Sequence, residues 1–219
     1  WCAAQKLREA GHRVVLFALH PTQENLARIG ADCVVVSGDV SDRRQVLDTM
    51  EGHAIDHVLH LAAFITHAAK ADPAGAFRIN TMGTANVFDA ALAVGAKRVV
   101  WTSSCVALAP TAEYDGKPVD ESYCGVSRSP YGASKWATEV LAEGYHDALG
   151  LDSVAIRPAL TYGIGRLLGG TGVFNAAIQA VALGRPTGIM ASPSGLHQPM
   201  YNRDMAELLI AALFSPKPP

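Results

Sequence analysis

Apolar and polar positions fall into short alternating blocks along this chain. Trp1, Ala4 and Leu7 recur about one turn apart while Lys6, Arg8 and Glu9 are polar, which predicts a short helix over 1–10 closed by Gly11. Val14 to Leu19 follow as an apolar, β-branched run of strand length. The alternation then continues with a short helix over 21–29 before Gly30, a buried strand within "DCVVVSGDV" (32–40) and a helix near 42–51. Next come a strand over 57–63, a long helix over 73–94 before Gly95, a strand over 97–104, a helix over 131–149 before Gly150, and a strand over 152–158. Strands in strict alternation with helices specify βαβ units, hence a doubly wound α/β fold whose parallel sheet is covered on both faces. No fixed-period repeat interrupts the pattern.

Composition narrows the class. Of 219 residues, 49% are hydrophobic and 17% charged, as in an ordinary globular domain rather than a disordered one. A formal net charge of −2 gives no reason to expect nucleic acid or an anionic membrane as a partner. No apolar stretch reaches the about 18 residues of a spanning helix. Cys2, Cys33, Cys105 and Cys124 are widely spaced, with no paired motif, which points to a reduced protein and a cytoplasmic setting.

In open α/β sheets, ligands gather beyond the carboxyl ends of the strands. The chemistry there is concentrated in "YGASK" (131–135), at the start of a helix. Tyr131 and Lys135, four apart, share one helix face. A phenol titrates near about pH 10, and an adjacent ammonium favours the phenolate, making it a usable acid or base near neutrality. "TSS" (102–104) ends a strand at the same edge, where the Ser104 hydroxyl can bond a substrate oxygen. Alone, each motif also reads as a solvated face or a turn.

Together the motifs resemble an extended short-chain dehydrogenase/reductase, in the branch of NAD-dependent sugar epimerases and dehydratases. The pieces occur in that family's order: "GDV" (38–40), "HLAA" (60–63), "NTMGT" (80–84), "TSS", "YGASK", "RPALTYG" (157–163) and "YNRDMAELLIAAL" (201–213). The resemblance implies a Rossmann-like dinucleotide domain over 1–158 and a small substrate lobe over 159–219. It makes Tyr131 the catalytic acid/base, Lys135 its partner and the holder of the nicotinamide ribose, and Ser104, with Ser103 a less suited neighbour, the group that binds the reacting oxygen. Asp39 and Val40 would flank the adenine; Leu61, Ala62, Ala63, Arg157 and Pro158 would border the cofactor. Asn80 is either a cofactor contact or an interior hydrogen-bonding residue, and Asp204 caps the returning helix. The implied reaction is hydride transfer between NAD and a secondary alcohol or ketone of a sugar-like substrate. A homodimer is implied through the helices near 84–94 and 132–148.

Three departures refine that expectation. Ala18-Leu19-His20 offers neither the acidic residue of NAD-preferring domains nor the Arg of NADP-preferring ones, so NADP stays open. Leu160 and His197 stand where nucleotide-sugar epimerases place an Asn and an Arg on the diphosphate, which favours a simpler sugar, polyol or carbonyl substrate. Cys105-Val106 replace the acidic residues that dehydratases carry after the serine, which disfavours water elimination. A carbonyl reductase of the dihydroflavonol-reductase kind and a non-catalytic dinucleotide-binding protein are the rival readings.

Other features read as structural. His53, His57 and His60 cross a loop-to-strand boundary without acidic or cysteine support, so no metal site is expected. Cys105 is expected to be a buried thiol. "GIGRLLGG" (163–170) reads as a substrate loop, with Arg166 either a substrate contact or solvated. The opening helix follows no strand, and the family's first strand and glycine-rich turn would precede Trp1. The expectation is therefore of a trimmed enzyme whose main phosphate cradle lies outside this sequence, with weak or no dinucleotide binding by the chain alone.

Overall fold

The computed structural model describes residues 1–30, 33–114, 118–122, 127–165, 172–188 and 198–216. Cys124, Arg166 and His197 lie outside the described residues. The chain runs α1 (Cys2–Glu9), β1 (Val15–Ala18), α2 (Gln23–Ile29), β2 (Val34–Ser37), α3 (Arg43–Gly52) and β3 (His57–His60). It continues through α4 (Thr66–Ala71), α5 (Pro73–Ala76), a π-helical turn (Phe77–Met82), α6 (Gly83–Val94), β4 (Arg98–Thr102), α7 (Pro130–Leu149) and β5 (Ser153–Ile156). The last elements are β6 (Leu160–Tyr162), α8 (Gly172–Ala182), β7 (Pro199–Tyr201) and α9 (Asn202–Phe214).

Every strand pair is parallel, as a βαβ chain requires. The strands form three ladders, β1-β2, β3-β4-β5 and β6-β7, rather than one continuous sheet. Among the described residues no strand bridges the first two ladders. That leaves β2 paired only to β1, and Val34 and Val35 are exposed, contrary to the buried strand expected there.

Side-chain alternation along β4 builds two cores. Val99 and Trp101 face α3 and α6, packing with Val46, Met50, Val87 and Phe88. Val100 faces the other way, onto Met205, Leu209 and Leu213 of α9. The buried Arg98 fastens that second layer. It pairs with Asp152 at 3.1 Å and donates to the Ala212 and Ser215 carbonyls at the end of α9, at 2.9 and 2.6 Å. A boundary at 158 therefore does not set α9 apart, because this helix covers the back of the sheet formed by the earlier residues.

The long helix expected over 73–94 is interrupted. Its middle widens into the π-helical turn, which carries the fully buried Asn80.

Candidate active site

Local sequence fixes where α7 begins. The Ser129 hydroxyl accepts the Gly132 amide at 3.1 Å, and Pro130, which has no amide hydrogen to satisfy, occupies the first turn. Tyr131 then sits in that first turn, half-buried, with Lys135 and Glu139 one and two turns further along the same stripe. Gly132 is required here. A Cβ on it would overlap both the Val106 carbonyl and the Ser127 hydroxyl, so the helix start is pressed directly against the turn that follows Ser104.

That turn is the continuation of β4. Ser104 is buried and its hydroxyl accepts the Val106 amide at 3.1 Å. Cys105, expected to be buried, is exposed beside it. Lys135 is 2% exposed, and its ammonium donates to the Thr102 carbonyl at 2.6 Å. Burial brings the lysine pKa down to about 8, and the negative charge of Glu139 opposes that fall.

Beneath these groups lies a buried polar network. Asn80 accepts the Phe64 amide at 2.7 Å and gives its two amide hydrogens to the Phe64 carbonyl and the Ser134 hydroxyl, at 3.1 and 2.9 Å. Ser134 in turn donates to the Tyr131 carbonyl at 2.7 Å. Asn80 thus clamps the loop after β3 to α7; both of its amide hydrogens are spent, so a cofactor contact would have to use the second lone pair of its oxygen. Thr84 donates to the Asn80 carbonyl at 2.6 Å, so its oxygen accepts from His60 Nε2 at 2.9 Å. His60 is therefore the neutral tautomer protonated at Nε2. Burial, aided by the Lys135 charge, holds its pKa down at about 3. His57 points elsewhere, to Asp56 and Phe214, so the three histidines do not converge. Among the described residues no group of three His, Cys, Asp or Glu could hold a metal ion.

The remaining expected residues line the carboxyl ends of the strands. Asp39 accepts the amide and hydroxyl of Ser41 at 2.8 and 2.9 Å through one carboxylate oxygen. Val40 rests against Gly83, and its carbonyl accepts from Asn86 at 2.9 Å. Leu61 is exposed, and Ala62 and Ala63 are half-buried just past β3. Arg157, placed with Pro158 at the end of β5, is committed to an ion pair: it donates from two nitrogens to Glu139, at 2.8 and 2.7 Å. Asp204 is exposed in the first turn of α9, where Tyr201 is the cap residue.

Sequence reasoning missed Glu139. The signal was present, since a third polar residue continues the four-residue spacing of Tyr131 and Lys135.

Comparison with known proteins bears on the family and the fold. The model of a family described as the NAD dependent epimerase/dehydratase family matches residues 3–218. A UDP-glucose 4-epimerase of Rhizobium meliloti (strain 1021) is 34% identical over 125 residues, 57% of this chain and 37% of that protein. A 3 beta-hydroxysteroid dehydrogenase type 7 of Mus musculus is 32% identical over 161 residues, 68% of this chain and 43% of its own length. The chain thus spans less than half the length of these relatives. The crystal structure of a Thermus thermophilus UDP-glucose 4-epimerase in complex with NAD superposes with a TM-score of 0.83 at 24% identity, over 99% of this chain and 71% of that one, which shows a common fold.

Proposed function

This chain belongs to the NAD dependent epimerase/dehydratase family, and from that premise we propose that it carries the catalytic residues of a hydride-transfer site acting on a secondary alcohol or ketone of a sugar-like substrate. One observation carries the reading: a buried ammonium, Lys135, sits one helical turn from the half-buried phenol of Tyr131, on a helix pressed against the turn that follows Ser104.

The donor set suits a dinucleotide. Only one of the three Lys135 protons is committed among the described residues, to Thr102, which leaves donors for ribose hydroxyls. Asp39 uses one carboxylate oxygen for Ser41, and the other is placed to accept. When bound, NAD supplies the nicotinamide carbon that takes or returns the hydride. The protein's share is proton handling. Ser104 donates a hydrogen bond to the substrate oxygen, and Tyr131 removes its proton in oxidation or returns it in reduction. The Lys135 ammonium favours the phenolate that oxidation needs.

Leu160, buried in β6, offers no side-chain amide to a diphosphate, which supports a simple sugar or polyol over a nucleotide sugar. We further propose a cytoplasmic homodimer. Most of the helix over 84–94 expected at the contact is buried within the chain, but Phe77 and Met82 on the π-helical turn before it and Val140 on α7, the other expected helix, expose apolar surface, which supports pairing at that side; sedimentation of the wild type beside Val140→Glu tests it.

The reaction is tested by incubating the chain with NAD deuterated at the nicotinamide, at millimolar concentration so that even a weak site is loaded, and, in turn, a free pentose and UDP-glucose. Epimerisation without accumulation of reduced nicotinamide supports the epimerase reading. Net reduced nicotinamide identifies a dehydrogenase, and binding without turnover of either probe overturns the catalytic assignment.

A further inference from the structure

One acidic side chain has no part in the chemistry above, yet touches every element that brings it together. The Glu139 carboxylate is mostly buried, with its side chain 11% exposed. It accepts two hydrogen bonds from Arg157 at the end of β5 and one from the Ser103 hydroxyl at the end of β4. It also lies one turn beyond Lys135 on α7. We infer that Glu139 is a positioning residue: it locks the strand ends that carry Ser104 and Pro158 to the helix that carries Tyr131 and Lys135, and it sets a negative charge one helical turn from the Lys135 ammonium.

Both halves follow from the geometry. Ser103 directly precedes Ser104, and Arg157 directly precedes Pro158, so one carboxylate sets the distance of two strand ends from α7. Burial of Lys135 works against its charge, and among the described residues few groups face it. His60, at the end of β3, is neutral, and Tyr131 is one turn before it. On the other elements packed against α7 the charges are turned away. Lys70 and Arg78 are exposed, Arg78 lies 3.9 Å from Asp72, and Asp89 is occupied by Tyr145 and Arg43. Glu139 is thus the negative charge that offsets the desolvation of the lysine, and it is itself paired with Arg157 at 2.7 Å.

The inference rests on the proposed role of Lys135, but its test needs no substrate. The Lys135 side chain is titrated by NMR in the full chain labelled with carbon-13 lysine, its resonance identified by loss in Lys135→Arg. Glu139→Gln keeps the shape and one acceptor oxygen for Ser103 and Arg157 Nε, while it removes the charge and the bond to the second Arg157 nitrogen. The expected result is a proton affinity of Lys135 lower by about tenfold or more. Arg157→Gln, which leaves Glu139 charged and without its cationic partner, moves the titration the other way, and it carries the test alone if Glu139→Gln fails to fold. A purely structural strut leaves the titration in place in both variants, and that result, or a shift in one direction for both, overturns the inference. Failure of catalysis with these opposite shifts intact would instead count against the proposed function.

Discussion

The Lys135 ammonium donates to the Thr102 carbonyl at 2.6 Å, so the lysine of the helix is tied to the last residue of the strand that delivers Ser104. The bond spends a proton on alignment, and the charge stays at the site. Lys135→Met is expected to abolish turnover and to weaken NAD binding. It also changes the pH dependence of stability. The folded amine releases its proton near about 8 and the unfolded one near 10.5, so in that window the unfolded chain holds more protons and wild-type stability rises with pH. Urea unfolding in steps from pH 7.5 to 10.5 should show that rise in the wild type and its loss in the variant.

Tyr131→Phe keeps the ring and removes the hydroxyl. Turnover is expected to fall by about 10²–10⁴-fold, the usual contribution of a positioned acid/base. NAD affinity, measured by calorimetric titration, should change little. Unchanged turnover would remove Tyr131 from the mechanism.

His60 is buried, neutral and bonded to Thr84. Its pKa is depressed from 6.5 to about 3, so below 6.5 the unfolded chain takes up a proton that the folded chain refuses. Stability from this group is present above 6.5 and lost as pH falls toward 3. His60→Gln retains a neutral donor, and its acid unfolding curve should lose the part of the slope that falls in that window.

Asn80→Ala leaves the Phe64 amide and carbonyl without the partner that the side chain supplies. A loss of about 2–4 kcal/mol is expected in urea denaturation. Because the Tyr131 carbonyl hangs on the same network through Ser134, turnover should fall even where the variant remains folded.

Gly132→Ala pushes a methyl group into the Val106 carbonyl and the Ser127 hydroxyl. The helix start must back away from the Ser104 turn, and a displacement of about 1 Å is enough for roughly a 100-fold loss of turnover. NAD affinity should be less affected than kcat, which separates this effect from general unfolding.

The βαβ order was legible because apolar strand runs and glycine-closed helices are local signals, and Val99, Val100 and Trp101 of β4 sit buried where that pattern puts them. Exposure of Val34 and Val35 was not legible, since a β-branched run looks the same in a paired or an edge strand. The π-helical turn around Asn80 was hidden too, because periodicity does not record one extra residue per turn. At the site, Tyr131, Lys135 and Ser104 could be read from spacing. The engagement of Arg157 by Glu139 could not, because it joins residues on a strand and a helix that only the tertiary fold brings together.

The Arg98 clamp has a consequence for biosynthesis. Its carbonyl partners on α9 lie 114 and 117 residues further along the chain. While the ribosome is still making the intervening segment, Val100 and its neighbours in the central ladder have nothing to cover them, and a buried guanidinium has only Asp152 for company. Closure of that layer must wait for a long-range contact, the kind of step expected to be slow and to leave apolar surface uncovered meanwhile. Arg98→Met should therefore lower the soluble yield more than the equilibrium stability.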